Sequence, residues 1–208
     1  QYAEIYADPL KWMQEGCLDY LAPQLYWTSD DPPHAYGTLI EWWSSITTGG
    51  RHVFAGNYLS KLGSSAAWSL DEFQTQIELS REYAGQGSTG NIFFHVGPIL
   101  ANTEGVTDLL TSELYRTPAL TPAIAALVDE VVAPPVVMWG EGGVTLVHPQ
   151  PESLRAWVVY RAEGDAWTVE HVVPASQGSV PLAESGTWAI SAAGRSGVES
   201  LGVRVVVP

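Results

Sequence analysis

Apolar residues come in short unbroken blocks through the first part of the chain, and between the blocks they recur at helical spacing. Leu18 to Trp27, LDYLAPQLYW, is one such block, bounded by Gly16 before it and by Ser29-Asp30-Asp31-Pro32-Pro33 after it. That pattern predicts a strand of a parallel sheet covered on both faces. His52 to Tyr58, HVFAGNY, and Asn91 to Val96, NIFFHV, predict two more. Leu21, Leu25, Phe54 and Phe93 are candidates for the inner face of these strands. Tyr6 to Gln14 predicts a helix, capped by Asp8, with Pro9 in its first turn and Gly16 ending it. Tyr36 to Ile46 predicts a second, with Leu39, Ile40, Trp43 and Ile46 near one face and Gly49-Gly50 breaking it. Ser60 to Ala67 is a loop of small residues. Ser69 and Glu72 form a capping-box pattern for a third helix, with Phe73 and Ile77 on one face. Thr107 to Tyr115 predicts a fourth, stopped by Pro118 and Pro122. The strands recur about every 33 to 38 residues, the period of a right-handed β/α unit. The order predicts a parallel sheet, either doubly wound or part of a (β/α)8 barrel.

After Ala133-Pro134-Pro135 the texture changes to alternating runs. These are Val144 to Val147, Leu154 to Tyr160, Trp167 to Val173, Ser179 to Leu182, Thr187 to Ala192 and Val203 to Val207, punctuated by Gly, Pro, Ser and Asp. They predict a small antiparallel β-sandwich. The fold class is therefore α/β plus all-β, with domains at 1–133 and 134–208 joined by a stiff Pro-Pro linker.

Composition narrows the functions. The 208 residues carry a formal charge of −14 with only 9 Lys and Arg, which leaves no basic patch for nucleic acid. Nine Trp and nine Tyr are many for this length and are the rings that carbohydrate sites use. Cys17 is the single cysteine, so no internal disulfide forms, and it reads as a small buried apolar residue. No run approaches the roughly 20 apolar residues of a membrane span. The chain starts at Gln1, without Met or a signal peptide, which reads as a processed chain or an excised fragment. No G-x-G-x-x-G follows a strand, no G-x-S-x-G elbow occurs, and the five His are scattered. No cofactor and no metal are expected.

The ends of the predicted strands hold the candidate chemistry. Gln24, Tyr26 and Trp27 offer an amide, a phenol and an indole, apolar faces to stack on and polar tips to bond hydroxyls; the plainer reading is core packing. The second strand ends in Asn57, Tyr58 and Lys61, and the third offers His95, which also reads as a packed or hydrogen-bonded residue. Glycoside hydrolysis normally uses two carboxylates about 5 to 9.5 Å apart. Asp30 and Asp31 are the acidic pair nearest a strand end, with Asp31 the one catalytic candidate; Asp before Pro is also simply a turn. Asp19 precedes a strand end, and helix capping accounts for Glu104 and Asp108.

DPLKWMQEGCLDYLAPQLYW, LIEWW, GNYLSK, GNIFFHV and LYRTPALTP resemble, in that order, the C-terminal half of the bacterial glycosyl-hydrolase-like family ten. The resemblance covers about residues 5 to 122. The tail GTWAISAAGRSGVES resembles the last hairpin of a fibronectin type III module, covering 134 to 208. The resemblance implies barrel strands six, seven and eight, with the first five outside this chain. The family's D-G-I-x-x-D-D motif has no counterpart here, and Ser60 stands where a Tyr commonly precedes the Lys. It implies a glycoside hydrolase of the cell envelope, often a lipoprotein, extracytoplasmic or secreted, acting on polysaccharide, with peptidoglycan glycan strands favoured. Its acid and base would lie upstream, with Gln24, Tyr26, Trp27, Asn57, Lys61 and His95 lining half of the cleft. The implied partner is the missing N-terminal half of the barrel or a second copy of the chain. The alternative is a non-catalytic carbohydrate-binding or scaffold protein.

Overall fold

The computed structural model describes residues 2–65, 68–124, 131–140, 142–182 and 184–208. Ala66 and Ala67 of the predicted 60–67 loop lie outside the described residues. The chain divides into two compact units, Gln1–Arg116 and Thr117–Pro208. Ala133-Pro134-Pro135 falls within the second.

The first unit opens with α1 (Tyr2–Ile5) and α2 (Pro9–Glu15). The predicted helix from Tyr6 is shorter than expected because Tyr6 adopts φ 54°, a left-handed conformation that no helix runs through. Asp8 caps α2 by accepting from the Lys11 amide, and Gly16 ends it at φ 75°. Cys17 follows, its amide bonded to the Trp12 carbonyl, and it is exposed, not buried as its apolar character predicts. The closing turn of the helix holds its backbone at the surface.

The strand predicted over Leu18 to Trp27 contracts to β1 (Tyr20–Leu21). Pro23 has no N–H for the ladder. Its carbonyl still accepts from the Gly56 amide, and pairing resumes at a parallel bridge between Gln24 and Gly56. After α3 (Tyr36–Ser45) come β2 (His52–Asn57), α4 (Leu70–Glu82) and β3 (Ser88–Phe93). The three strands pair in parallel in the order β1-β2-β3.

One face of the sheet is covered by helices. Val53, Ala55 and Leu25 pack with Tyr36 and Ile40 of α3, and Phe93 packs against the cluster that holds Phe73 and Ile77 of α4. The other face is open, with Tyr20 52%, Ile92 43% and Phe94 51% exposed. This corrects the expected inner face. Leu25 and Phe93 belong to the helix side, Leu21 is in register with buried Val53, and only Phe54 shares the open face, edge-on to Tyr20 at 5.3 Å. Side chains alternate at period two, so a shift of one residue in phase exchanges the faces.

Ser69 caps α4 by accepting from the Glu72 amide. The reciprocal half of the capping box is missing, because the Glu72 carboxylate accepts instead from the amide and hydroxyl of Ser29, each at 2.8 Å. The unit ends with α5 (Gly97–Leu100) and α6 (Val106–Leu109), the latter continued by a π-helical turn over Leu110–Leu114.

The second unit contains β4 (Val136–Gly140), β5 (Gly143–Val147), β6 (Leu154–Glu163), β7 (Ala166–Pro174), β8 (Ser179–Val180), β9 (Gly186–Gly194) and β10 (Val203–Val207). They form a four-stranded sheet, β10-β9-β6-β7, and a three-stranded sheet, β4-β5-β8, all antiparallel. β4 adds to the predicted runs; it directly follows the Pro-Pro pair. Val144, Leu146 and Val180 of the smaller sheet share one core with Trp157, Val159, Trp188, Ile190 and Val205 of the larger.

Candidate active site

The carboxyl ends of the parallel strands gather an aromatic cluster. Tyr26 stacks on Tyr58 with ring centroids 4.4 Å apart, and Phe94 sits 6.1 Å from the first ring and 5.8 Å from the second. Lys61 places its ammonium 4.8 Å from the centre of the Tyr58 ring. The Ser60 amide and hydroxyl both donate to the Phe94 carbonyl at 3.0 Å, tying the segment after β2 to the end of β3. The Phe94–His95 peptide is cis, and exposed His95 accepts from the Gly97 amide through Nδ1 at 2.9 Å. Partial burial and the neighbouring Tyr58 phenol raise the Tyr26 hydroxyl above the ordinary phenol range. The cluster offers apolar ring faces, two phenols, a cation and an imidazole, a set suited to stacking on a sugar ring and bonding its hydroxyls.

Trp27 turns to a different facet. It stacks on His34 at 4.6 Å and, with Gln24, Trp12 and Trp43, lines a groove of about 530 Å³ beside β1. Gln24 is exposed there, one ladder bridge from Gly56.

Asn57 is 0% exposed and faces the helices. Its amide donates to the Tyr36 hydroxyl at 3.1 Å and to Gln76 Oε1 at 2.9 Å, and its Oδ1 accepts from Asn91 at 2.9 Å. Tyr36 and Ser80 share a 2.8 Å hydrogen bond, and Tyr115 donates to Asn91 Oδ1 at 3.1 Å. Gln76 carries the network forward by donating to Glu72 Oε1 and to the Trp27 carbonyl. Glu72 then holds Ser29. Polar side chains from β2, β3 and α4 thus fix the backbone that presents Tyr26 and Trp27. Burial pushes the Tyr36 hydroxyl up to about 12, against the opposing pull of its Ser80 and Asn57 hydrogen bonds.

The acidic candidates hold loops. Asp30 accepts from the Thr28 hydroxyl at 2.6 Å. Asp31 accepts from the His34 amide at 3.1 Å and lies 3.4 Å from His34 Nδ1. Asp19 offers its carbonyl to the His52 amide. Asp108 accepts from the Asn102 side chain, whose Oδ1 accepts from the Thr107 amide, so Asn102 holds the start of α6. Phe94 was legible as a strand-end aromatic but not as part of the cluster. Gln76, Ser80 and Asn91 carry no sequence signal beyond polar residues spaced along α4 and β3, and Tyr115 none beyond its place at the end of the last predicted helix.

The fold and the cluster define a parallel β/α sheet with an aromatic, hydroxyl-bearing carboxyl end. Glycosyl hydrolase YngK of Bacillus subtilis (strain 168) is 30% identical over 176 residues, 78% of this chain and 34% of that protein. Glycosyl hydrolase DigH of Escherichia coli (strain K12) is 31% identical over 88 residues, 38% of this chain and 20% of that protein. The chain therefore spans about a third or less of the length of these curated relatives. No family model matches it, and no solved structure matches it. The similarities support a glycosyl-hydrolase-like family.

Proposed function

We propose that the first unit is the carboxyl-terminal part of a (β/α)8-barrel glycoside hydrolase and supplies one half of its sugar cleft. The second unit is a fibronectin type III-like β-sandwich. The observation that carries this reading is the meeting of Tyr26, Tyr58, Lys61 and Phe94 at the ends of three adjacent parallel strands, the end where barrel enzymes hold substrate. Similarity to proteins named glycosyl hydrolase supports a hydrolase-related role. Tyr26, Lys61 and His95 contact the glycan at the aromatic cluster, Gln24 and Trp27 extend the contact into the neighbouring groove beside β1, and Asn57 supports them from behind the sheet. The substrate is polysaccharide, with peptidoglycan glycan strands favoured, in an extracytoplasmic setting. The catalytic carboxylates come from barrel strands upstream of Gln1. Those strands, or a second copy of the chain, cover the open face around Tyr20, Ile92 and Phe94.

A second reading, a non-catalytic glycan-binding or scaffold protein, is favoured by one observation: Asp30, Asp31 and Glu72 are all engaged in holding the loop after Trp27. Hydrolysis assays separate the two. Purified glycan strands incubated with the 208-residue chain should release no new reducing ends, and Asp31→Asn should change nothing. The longer polypeptide with the remaining barrel strands should cleave them. Cleavage by the 208-residue chain that Asp31→Asn abolishes would contradict the placement of the carboxylates. Inactivity of the longer polypeptide would favour the binding reading.

A further inference from the structure

The larger sheet of the second unit turns one face to its core, and the opposite face carries a cavity of about 310 Å³. The cavity is a consequence of register. Arg204 of β10 pairs with Ala189 of β9, and Ala189 pairs with Tyr160 of β6, so a small residue lies between two long ones. Gly202 lines the cavity too; a Cβ there would stand 3.4 Å from that of Ala189 and begin to fill the hollow. Trp167 of β7 forms another wall and is 47% exposed.

The polar groups converge on the same hollow. The Tyr160 hydroxyl donates to Glu199 Oε1 at 2.6 Å, and the buried Ser191 hydroxyl donates to the same oxygen. Both fixed donors use one carboxylate oxygen, and among the described residues no partner is found for Oε2. Burial, reinforced by the Glu199 carboxylate, raises the Tyr160 hydroxyl well above the ordinary phenol range, so it stays a neutral donor. An indole face, a held carboxylate and a guanidinium around a hollow at the small end of ligand-pocket sizes form a recognisable set. The indole offers a plane for C–H groups, the carboxylate accepts from vicinal hydroxyls, and the guanidinium donates to ring or acetamido oxygens. One charge of each sign around the hollow suits an uncharged ligand.

We propose that this face of the second unit is a separate binding site for neutral pyranose rings of a glycan, with Trp167 as the stacking platform and Glu199 and Arg204 as the hydrogen-bonding pair. The site stands on residues of the second unit alone and holds whether or not the first unit lines a hydrolytic cleft.

The test is a titration of the full chain, labelled with 15N at its Trp indoles, with N-acetylated chitotriose and with cellotriose. The Trp167 indole resonance is identified by its loss in Trp167→Phe. The expected result is a saturable shift of that resonance with at least one of the two sugars, while the core Trp157 and Trp188 resonances stay in place. Glu199→Gln keeps an oxygen for Tyr160 and Ser191 to bond, so the fold is retained, and it should weaken binding roughly tenfold or more, as should Arg204→Ala. No shift with either sugar at millimolar concentration would overturn the proposal. Equal affinity in both variants would overturn it as well. A Trp167 shift that instead follows protein concentration without sugar would assign the face to a second copy of the chain.

Discussion

At Asn57 a single side chain satisfies three neighbours at once, and the site's precision rests on groups of this kind. Buried polar atoms are costly when unpaired, so removing one member of the network exposes the rest to that penalty. Tyr36 touches Ser80, Asn57 and Asn91 through one hydroxyl. Tyr36→Phe should destabilise the first unit by about 1–3 kcal/mol at neutral pH. The pH dependence has a definite sign. The folded pKa of about 12 lies above the unfolded value of about 10, so the native state keeps a proton that the unfolded chain gives up. The stabilisation is fully present below about pH 10 and is lost as pH rises toward about 12, a fall on the order of 2–3 kcal/mol. Urea unfolding of both proteins across that range should show the loss in the parent and a flatter profile in Tyr36→Phe; parallel profiles would contradict the assignment. At this scale the residue types of the site were legible, since Tyr26, Lys61 and His95 follow apolar blocks. Which side of the sheet Asn57 faces was not, because it precedes Tyr58 by one position and a strand reverses its face at every step.

Among the elements, the junction of β1 with β2 is a close one. β1 contributes only Tyr20 and Leu21 as a regular strand, and the segment beyond Pro23 is held to β2 through Gly56. The Gly56 amide donates to the Pro23 carbonyl, and the Leu25 amide donates to the Gly56 carbonyl, both at 2.9 Å. A Cβ on Gly56 would meet the Pro23 carbonyl oxygen at 2.7 Å, and that atom is backbone with little room to retreat. Gly56→Ala should therefore cost about 1–3 kcal/mol, within the usual range for overpacking, and should loosen the Tyr26–Tyr58 stack. Denaturant unfolding with near-ultraviolet circular dichroism would register both effects; an unchanged midpoint would show that the two segments are not so closely joined. The helices were readable from their punctuation: Asp8 with Gly16, and Ser69 ahead of Phe73 and Ile77. The apolar run through Leu18 to Trp27 predicts a longer strand than forms, because it conceals what Pro23 does to a hydrogen-bond ladder. β4 gives no clear strand signal in the sequence, because its residues come straight after the Pro-Pro pair and Val136, Met138 and Trp139 stay exposed at a sheet edge.

For the whole molecule, an α/β unit and an antiparallel β unit follow in the order that the change of hydrophobic texture predicts. The parallel sheet has helices on one face and aromatic side chains on the other. That open face could not be read from alternation alone, since blocks such as LDYLAPQLYW and NIFFHV are apolar at nearly every position and predict cover on both sides. In the proposed function the open face and the aromatic cluster at its end are one half of a glycan cleft. The most direct measurement is a backbone amide titration of the 15N-labelled 208-residue chain with soluble, peptide-free peptidoglycan glycan strands. The account predicts saturable shifts concentrated at residues 24–27, 58–61 and 94–97, weakened by Tyr58→Ala. Shifts absent from those three segments at millimolar glycan would contradict it.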